Sequence, residues 1–170
     1  MKANHLFLIG CLLLIGGILG WRWLHPEPAR KSAFERSGVV PPQGRRVVKT
    51  DAEWEELLTA PQFYVTREKG TEGRNSSPLT HLHQAGVYEC VCCHNPLFAS
   101  RTKFDSRTGW PSFYVPIAPN AVYTDFDGRR TEVLCSVCDA HLGHVFTDGP
   151  EPTGLRYCMN GTALTFKPAR

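Results

Sequence analysis

The chain of 170 residues reads as a mainly β domain with short helices at its start and a four-cysteine zinc site, preceded by one transmembrane or signal segment. Three observations carry this. From Gly86 onward, short runs rich in Val, Tyr, Phe and Thr alternate with Gly, Pro and Asp turns, the texture of antiparallel strands. Two CxxC pairs, Cys90-Val-Cys-Cys93 and Cys135-Ser-Val-Cys138, supply four thiolates at the spacing that closes a tetrahedral Zn²⁺ site. Leu6 to Leu24 is apolar except for Arg22.

That amino-terminal run, as a helix, spans about 28 Å, close to the hydrocarbon core of a bilayer. Trp21 and Trp23 sit where an interfacial aromatic belt belongs, and Arg22 can snorkel. A retained anchor, a cleaved signal peptide and a lipoprotein signal at Leu8-Ile-Gly-Cys11 compete. The anchor is favoured, because no small-x-small cleavage site follows the run and the stretch before Cys11 is very short. Lys2 precedes the segment while Arg22, Arg30, Lys31 and Arg36 follow it, a count that does not favour export. A short apolar segment with a leading Lys is nonetheless the usual signal-anchor form, so the expectation is an exported, periplasmic-side domain with the cytoplasmic side as alternative. Residues 1–24 are thus the anchor or signal segment, 25–44 a linker broken by Pro26, Pro28, Pro41 and Pro42, and 45–170 the domain.

Thr50-Asp-Ala-Glu53 is a capping box followed by Trp54, Leu57 and Leu58 at helical spacing. Thr59-Ala-Pro61 starts a second short helix to about Arg67, and Gly70–Ser77 is a polar loop. Strands are expected at Val87–Cys90, Ser112–Val115, Val122–Asp125, Glu132–Cys135, His144–Phe146, Arg156–Asn160 and Ala163–Phe166. The only internal repeat is the pair of CxxC knuckles, each near a strand end.

A formal charge of +3 from 19 basic and 16 acidic residues gives no nucleic-acid footprint, and basic patches interleaved with aromatics are absent. Seven cysteines, an odd number, argue against a fully paired disulfide scaffold. Four thiolates at Cys90, Cys93, Cys135 and Cys138 fill a metal's coordination sphere, so the zinc is expected to be structural, one per chain. Two disulfides or redox CxxC motifs are the alternative. Cys92, between the ligands, reads as a small buried thiol or a resolving cysteine.

Cys158 stands outside both pairs, in Arg156-Tyr-Cys-Met-Asn160. Arg156 and Asn160 lie two residues to either side, on the same strand face, and a cationic neighbour raises a thiol's thiolate fraction. His141 and His144 offer a general acid. Trp110, between Gly109 and Pro111, is either a core aromatic or a loop indole facing outward as a pocket wall.

Gly86-Val-Tyr-Glu-Cys90, Pro96-Leu-Phe98, Lys103-Phe-Asp-Ser, Gly109-Trp-Pro-Ser-Phe113, His141-Leu-Gly-His-Val-Phe-Thr-Asp-Gly-Pro150 and Arg156-Tyr-Cys-Met-Asn160 together resemble the methionine-R-sulfoxide reductase (MsrB) family, over about Val47 to Pro168. The resemblance implies two antiparallel sheets, a structural zinc on the CxxC pairs and a shallow active site. It implies Cys158 as nucleophile, Trp110 against the substrate's S-methyl group, with Phe113 as a second substrate contact. His141, His144, Arg156 and Asn160 become the polar shell around the sulfoxide. The implied reaction reduces the R epimer of methionine sulfoxide, free or in proteins, through a sulfenic acid that a thioredoxin-like reductant clears. Many members carry a resolving cysteine where this chain has Thr108, so regeneration falls to an external thiol or Cys92. After Asn160, Gly161-Thr162 replaces the more usual Ser-Ala. A monomer is expected. A zinc-stapled binding module without catalysis, or a cysteine hydrolase, are the competing readings.

Overall fold

The computed structural model describes Glu35 and residues 38–170, with Gln43 by its backbone alone. The expected anchor, 1–24, and most of the expected linker, 25–44, lie outside the described residues. Among the described residues no helix is long and apolar enough to cross a membrane. Packing begins before residue 45: Pro41 is buried, and Asn120 Nδ2 donates to the Val40 carbonyl at 3.0 Å.

Helix α1 (Asp51–Leu57) opens on the expected capping box. Thr50 Oγ1 accepts from the Glu53 amide at 3.3 Å while Glu53 Oε2 accepts from the Thr50 amide at 2.7 Å, so two amides without helical partners are satisfied reciprocally. Trp54 is its one buried side chain, with the Arg67 guanidinium 5.0 Å from the ring. Helix α2 (Ala60–Thr66) repeats the device with Thr59 and Gln62, and buries Val65 and Thr66.

Among the described residues nine strands form two antiparallel sheets: β1 (Gly86–Cys90), β2 (Pro96–Ala99), β3 (Lys103–Phe104), β4 (Ser112–Phe113), β5 (Val122–Phe126), β6 (Thr131–Cys135), β7 (His141–Phe146), β8 (Arg156–Met159) and β9 (Leu164–Pro168). The smaller sheet runs β2-β1-β9 and the larger β3-β4-β8-β7-β6-β5. The seven expected strands are present with shifted ends. β2 and β3 are additions that sequence pattern did not reveal: β2 opens on a proline and β3 has only two residues, so neither shows a period.

An aromatic seam joins the sheets. Phe113 from the larger sheet stacks on Phe98 at 4.4 Å and meets Tyr88 edge-on at 4.9 Å, both from the smaller one. Phe113 is 0% exposed, which corrects its expected place at the substrate. The cause is the two-residue period of a strand: Ser112 pairs with Cys158 and Phe113 with Tyr157, so Phe113 points to the face away from Cys158.

The two knuckles have the same backbone. The amides of Cys90 and Cys135 donate to Asn95 and Ala140 carbonyls, and the amides of His94 and Asp139 donate back to Cys90 and Cys135, at 2.9–3.0 Å. β1 and β6 end where these turns begin, so each sheet delivers one CxxC pair.

Candidate active site and metal centre

Cys158 lies on β8, between β4 and β7, and the register opposes it to Ser112 on one side and His144 on the other. Directly opposed residues of an antiparallel pair share a face with Cβ atoms about 5 Å apart. Glu132 on β6 opposes His144, so Ser112, Cys158, His144 and Glu132 form one rung across four strands. The approach of β7 to β8 depends on Gly143: at φ +153 it carries no Cβ, and one built there would collide with the Cys158 carbonyl oxygen.

A cavity of about 170 Å³ opens over this rung, and Cys158, Trp110, Thr108, His144, Arg156 and Asn160 face it. Thr71, Arg130, Gly143 and Phe146 complete its wall, four residues to which sequence reasoning gave no site role. Trp110 is half-buried on a loop, its indole N–H donating to the Glu72 carbonyl at 3.3 Å. Glu72 also escaped notice. Its carboxylate accepts from the Gly161 and Thr162 amides at 2.6 and 2.7 Å, tying the polar loop to the turn after β8. Nothing local in Gly70–Ser77 announces that long-range bond.

The polar residues have distinct surroundings. Arg156 makes a two-pronged bond to Asp148 at 2.9 and 2.9 Å and lies 4.3 Å from the Phe146 ring centre. These bonds raise its pKa; burial opposes them, and the charge of Cys158 adds to them. Asn160 is buried, and its amide is committed to scaffolding: Oδ1 accepts from the Glu72 amide at 3.0 Å and Nδ2 donates to the Leu142 carbonyl at 3.3 Å.

His144 Nε2 lies 2.8 Å from Asp127 Oδ2. Asp127 is held far below the usual carboxylate range, first by the Arg130 and Arg129 amides and then by His144. An ionised carboxylate only accepts, so Nε2 carries the proton and Nδ1 is the remaining acceptor. Burial pushes the His144 pKa down, against the raising effect of Asp127. Burial thus favours the neutral imidazole.

His141 is 2% exposed and lies behind His144, ring centres 5.3 Å apart, with no part in the cavity wall. Its Nδ1 is 2.7 Å from Glu132 Oε1, whose other oxygen accepts from Lys69 Nζ at 2.8 Å. Burial raises the pKa of Glu132, but the bonds to His141 and Lys69 outweigh it and hold the group ionised. Of the two histidines expected at the sulfoxide, the fold brings one to the cavity and places the other as its backing.

Thr108 Oγ1 lies 3.8 Å from Cys158 Sγ, 2.8 Å from Ser106 Oγ, and Ser106 Oγ lies 2.7 Å from Ser112 Oγ. The side chain at position 108 thus touches the Cys158 sulfur.

Away from the cavity, the Sγ atoms of Cys90, Cys93, Cys135 and Cys138 lie within 4.8 Å of one another, all buried. Cys90 and Cys138 are 3.7 Å apart, Cys93 and Cys135 3.6 Å. A tetrahedron with bonds of about 2.3 Å has edges of about 3.8 Å, so the four thiols are placed to bind one metal ion. Cys135 is held well below the ordinary thiol range by hydrogen bonds from Cys138 and Cys90. Asn95 Nδ2 reaches Cys135 Sγ at 3.7 Å, and Arg45 and Arg67 bond the Cys93 and Cys138 carbonyls at 2.9 and 3.0 Å. Cys92 is half-buried beside the cluster and outside the four-ligand set.

Comparison with known proteins agrees with this geometry. The SelR domain matches residues 58–168. The peptide methionine sulfoxide reductase MsrB of Herminiimonas arsenicoxydans is 52% identical over 125 residues, covering 71% of this chain and 91% of that protein. MsrB of Pseudomonas putida (strain W619) is 52% identical over 128 residues, covering 73% and 96%. The chloroplastic peptide methionine sulfoxide reductase B1 of Oryza sativa subsp. japonica is 55% identical over 123 residues, 69% of this chain but 57% of that longer protein. With a domain match over residues 58–168 and half of the aligned residues identical in relatives covered almost end to end, this chain belongs to the SelR family of MsrB methionine sulfoxide reductases.

Proposed function

We propose that this protein reduces the R epimer of methionine sulfoxide, free or in proteins, with Cys158 as nucleophile. The observation that carries the proposal is the placement of Cys158, the one thiol among the described residues on the wall of a cavity that also presents an indole, an imidazole and a guanidinium. The relatives' names, peptide methionine sulfoxide reductase, support methionine sulfoxide as the substrate.

The cavity divides the work. The face of Trp110 receives the poorly hydrated S-methyl group, so apolar burial contributes to binding. Neutral His144, opposite Cys158, takes the thiol proton and returns it to the sulfoxide oxygen as the Cys158 sulfur attacks. The oxygen passes to Cys158, methionine departs, and the enzyme holds a sulfenic acid. Arg156, kept charged by Asp148, offsets negative charge developing on oxygen. His141 and Glu132 fix His144 from behind, and Asn160 holds the loop that carries Thr71 and Glu72.

The metal is proposed to be zinc, one per chain. All four ligands are thiolates, which suits zinc, and a closed sphere leaves no open position for chemistry. Cys90, Cys93, Cys135 and Cys138 would hold it, joining the ends of β1 and β6. Regeneration is assigned to an external thioredoxin-like thiol, supported by Thr108 at the place of the resolving cysteine and by Cys92 lying in the metal knuckle. The amino-terminal apolar run is proposed as a membrane anchor with the domain exported, on the sequence pattern alone.

Substitution Cys158→Ser tests the central proposal. Reduction of the R epimer with dithiothreitol should vanish while metal content and thermal melting stay at wild-type values. Full activity in that variant, or wild-type turnover of the S epimer alone, would overturn it.

A further inference from the structure

Four side chains and one carbonyl form a continuous polar row beneath the cavity: Cys158, Thr108, Ser106, Ser112 and the Trp110 carbonyl. The separations along it are 3.8, 2.8, 2.7 and 3.2 Å. The last member sets its direction. A carbonyl oxygen can only accept, so Ser112 spends its proton there. Ser106 must then donate to Ser112, and Thr108 to Ser106. Each hydroxyl has one proton, so Thr108 is left presenting a lone pair toward Cys158. Ser112 is 0% exposed, which shields the far end of the row from exchange with bulk water.

We infer that Thr108 is a catalytic residue of the regeneration half-reaction, accepting the O–H of the Cys158 sulfenic acid and holding that acid neutral for attack by an external thiol. The inference rests on the sulfenic acid of the proposed function. An oxygen added to Sγ and turned toward Thr108 comes within reach of an O–H···O bond of about 2.7 Å. The protonation state matters because the neutral acid is electrophilic at sulfur, whereas the sulfenate repels an incoming thiolate and is open to further oxidation to the sulfinic acid. In the step itself the external thiol's sulfur bonds to Cys158 Sγ and the S–O bond breaks. The sulfenic sulfur is reduced, the thiol sulfur oxidised, and the oxygen leaves as water with the thiol's proton. A second external thiol then resolves the mixed disulfide and restores Cys158. Thr108 ends unchanged. A residue that stands where a resolving thiol would stand in other family members thus acts on the same intermediate, by orientation instead of by bond formation.

The test compares the wild type with Thr108→Val, which removes the hydroxyl at near-constant volume, and Thr108→Ser, which keeps it. One arm forms the sulfenic acid with methionine sulfoxide and the other with a single equivalent of hydrogen peroxide, which bypasses the reductase reaction. Dithiothreitol is then added and surviving sulfenic acid is trapped with dimedone over time. In Thr108→Val the clearance in the peroxide arm should slow about tenfold, the effect of one lost hydrogen bond. Sulfinic acid should accumulate severalfold faster under excess peroxide, and Thr108→Ser should clear within about twofold of wild type. Wild-type clearance by Thr108→Val in the peroxide arm would overturn the role of Thr108. Failure of the wild type to form any methionine in the sulfoxide arm would instead strike the reductase proposal, and leave the peroxide arm to decide the role of Thr108.

Discussion

Restoring a cysteine at the Thr108 position should convert the catalytic cycle. Thr108 Oγ1 already lies 3.8 Å from Cys158 Sγ, with both side chains directed at the same cavity. A cysteine there has to bring its sulfur from about that separation to bonding distance, which requires the two Cα atoms to lie within the ~7 Å that a disulfide tolerates. The two positions are 50 residues apart in sequence, and closing a loop of that length removes chain entropy equivalent to about 4 kcal/mol at 25 °C. A domain of this size melts about 4 °C higher per kcal/mol, so the full entropic effect would be about 15 °C, and native-state strain reduces it to an expected rise of about 10 °C. The assay treats Thr108→Cys with one equivalent of methionine sulfoxide, without reductant. Mass spectrometry should find the loss of two hydrogen atoms and a linked pair of peptides carrying positions 108 and 158. The melting temperature should rise by the stated amount and fall back on adding dithiothreitol. A persistent dimedone adduct at Cys158 with an unchanged melting curve would show that the two side chains do not meet as described.

Substituting Cys135 by Ser should release the metal and lower thermal stability sharply, because binding free energy at such a site is folding free energy, whereas Cys92→Ser should retain one zinc by elemental analysis and turn over within about twofold of wild type with dithiothreitol. Metal lost from the Cys92 variant would place that thiol among the ligands. The two aromatics of the Trp-Pro-Ser-Phe block should separate cleanly: Phe113→Ala should cost about 3–5 kcal/mol in denaturant unfolding, while Trp110→Ala should mainly raise KM for the sulfoxide. The pH dependence of kcat/KM should show an acid limb lying below the ordinary histidine value, since burial lowers the His144 pKa and activity requires the neutral ring. Asp127→Asn removes the carboxylate that raises that pKa, so the limb should move to still lower pH; a move upward would assign it to another group.

How much of this was legible in the sequence depends on how local the cause was. Both helix starts were: the first is a capping box complete within four residues, and the second shows a Thr followed by a Pro in its first turn, neither needing a tertiary partner. The CxxC pairs were legible for the same reason, each knuckle being one turn with its own backbone bonds. β2 and β3 were not, because short strands that acquire their partners from elsewhere leave no period behind. Phe113 marks a different limit. Its motif makes it a neighbour of Ser112, but which face it takes depends on the register of β4 with β8, a pairing of residues more than forty positions apart. The same register puts His144 against Cys158 and leaves His141 behind it, a distinction that His-Leu-Gly-His does not contain. The tie of Asp127 to His144 exists only once β5, β6 and β7 are laid side by side.

The six cysteines of the described residues show why type and spacing alone leave chemistry undecided. Cys92 and Cys158 are both half-buried and both free, so exposure does not separate them. Their neighbours do. Cys92 sits on a knuckle between two metal-site thiols, where any movement that carried it to a substrate would open the cluster that joins β1 to β6. Cys158 sits in the middle of a six-stranded sheet, with β4 on one side and β7 on the other, where the backbone holds the sulfur still without using it. A nucleophile needs that combination of a fixed backbone and an uncommitted side chain. In the proposed cycle Thr108 supplies a contact that yields when the sulfur is oxidised, since a hydrogen bond at 3.8 Å is weak and easily replaced by one to the sulfenic oxygen. A metal ligand offers no such freedom, because its lone pair is committed to the ion in every state of the cycle. In the proposed cycle, the difference between the two classes of thiol is therefore set by which side chains the fold places beside each one.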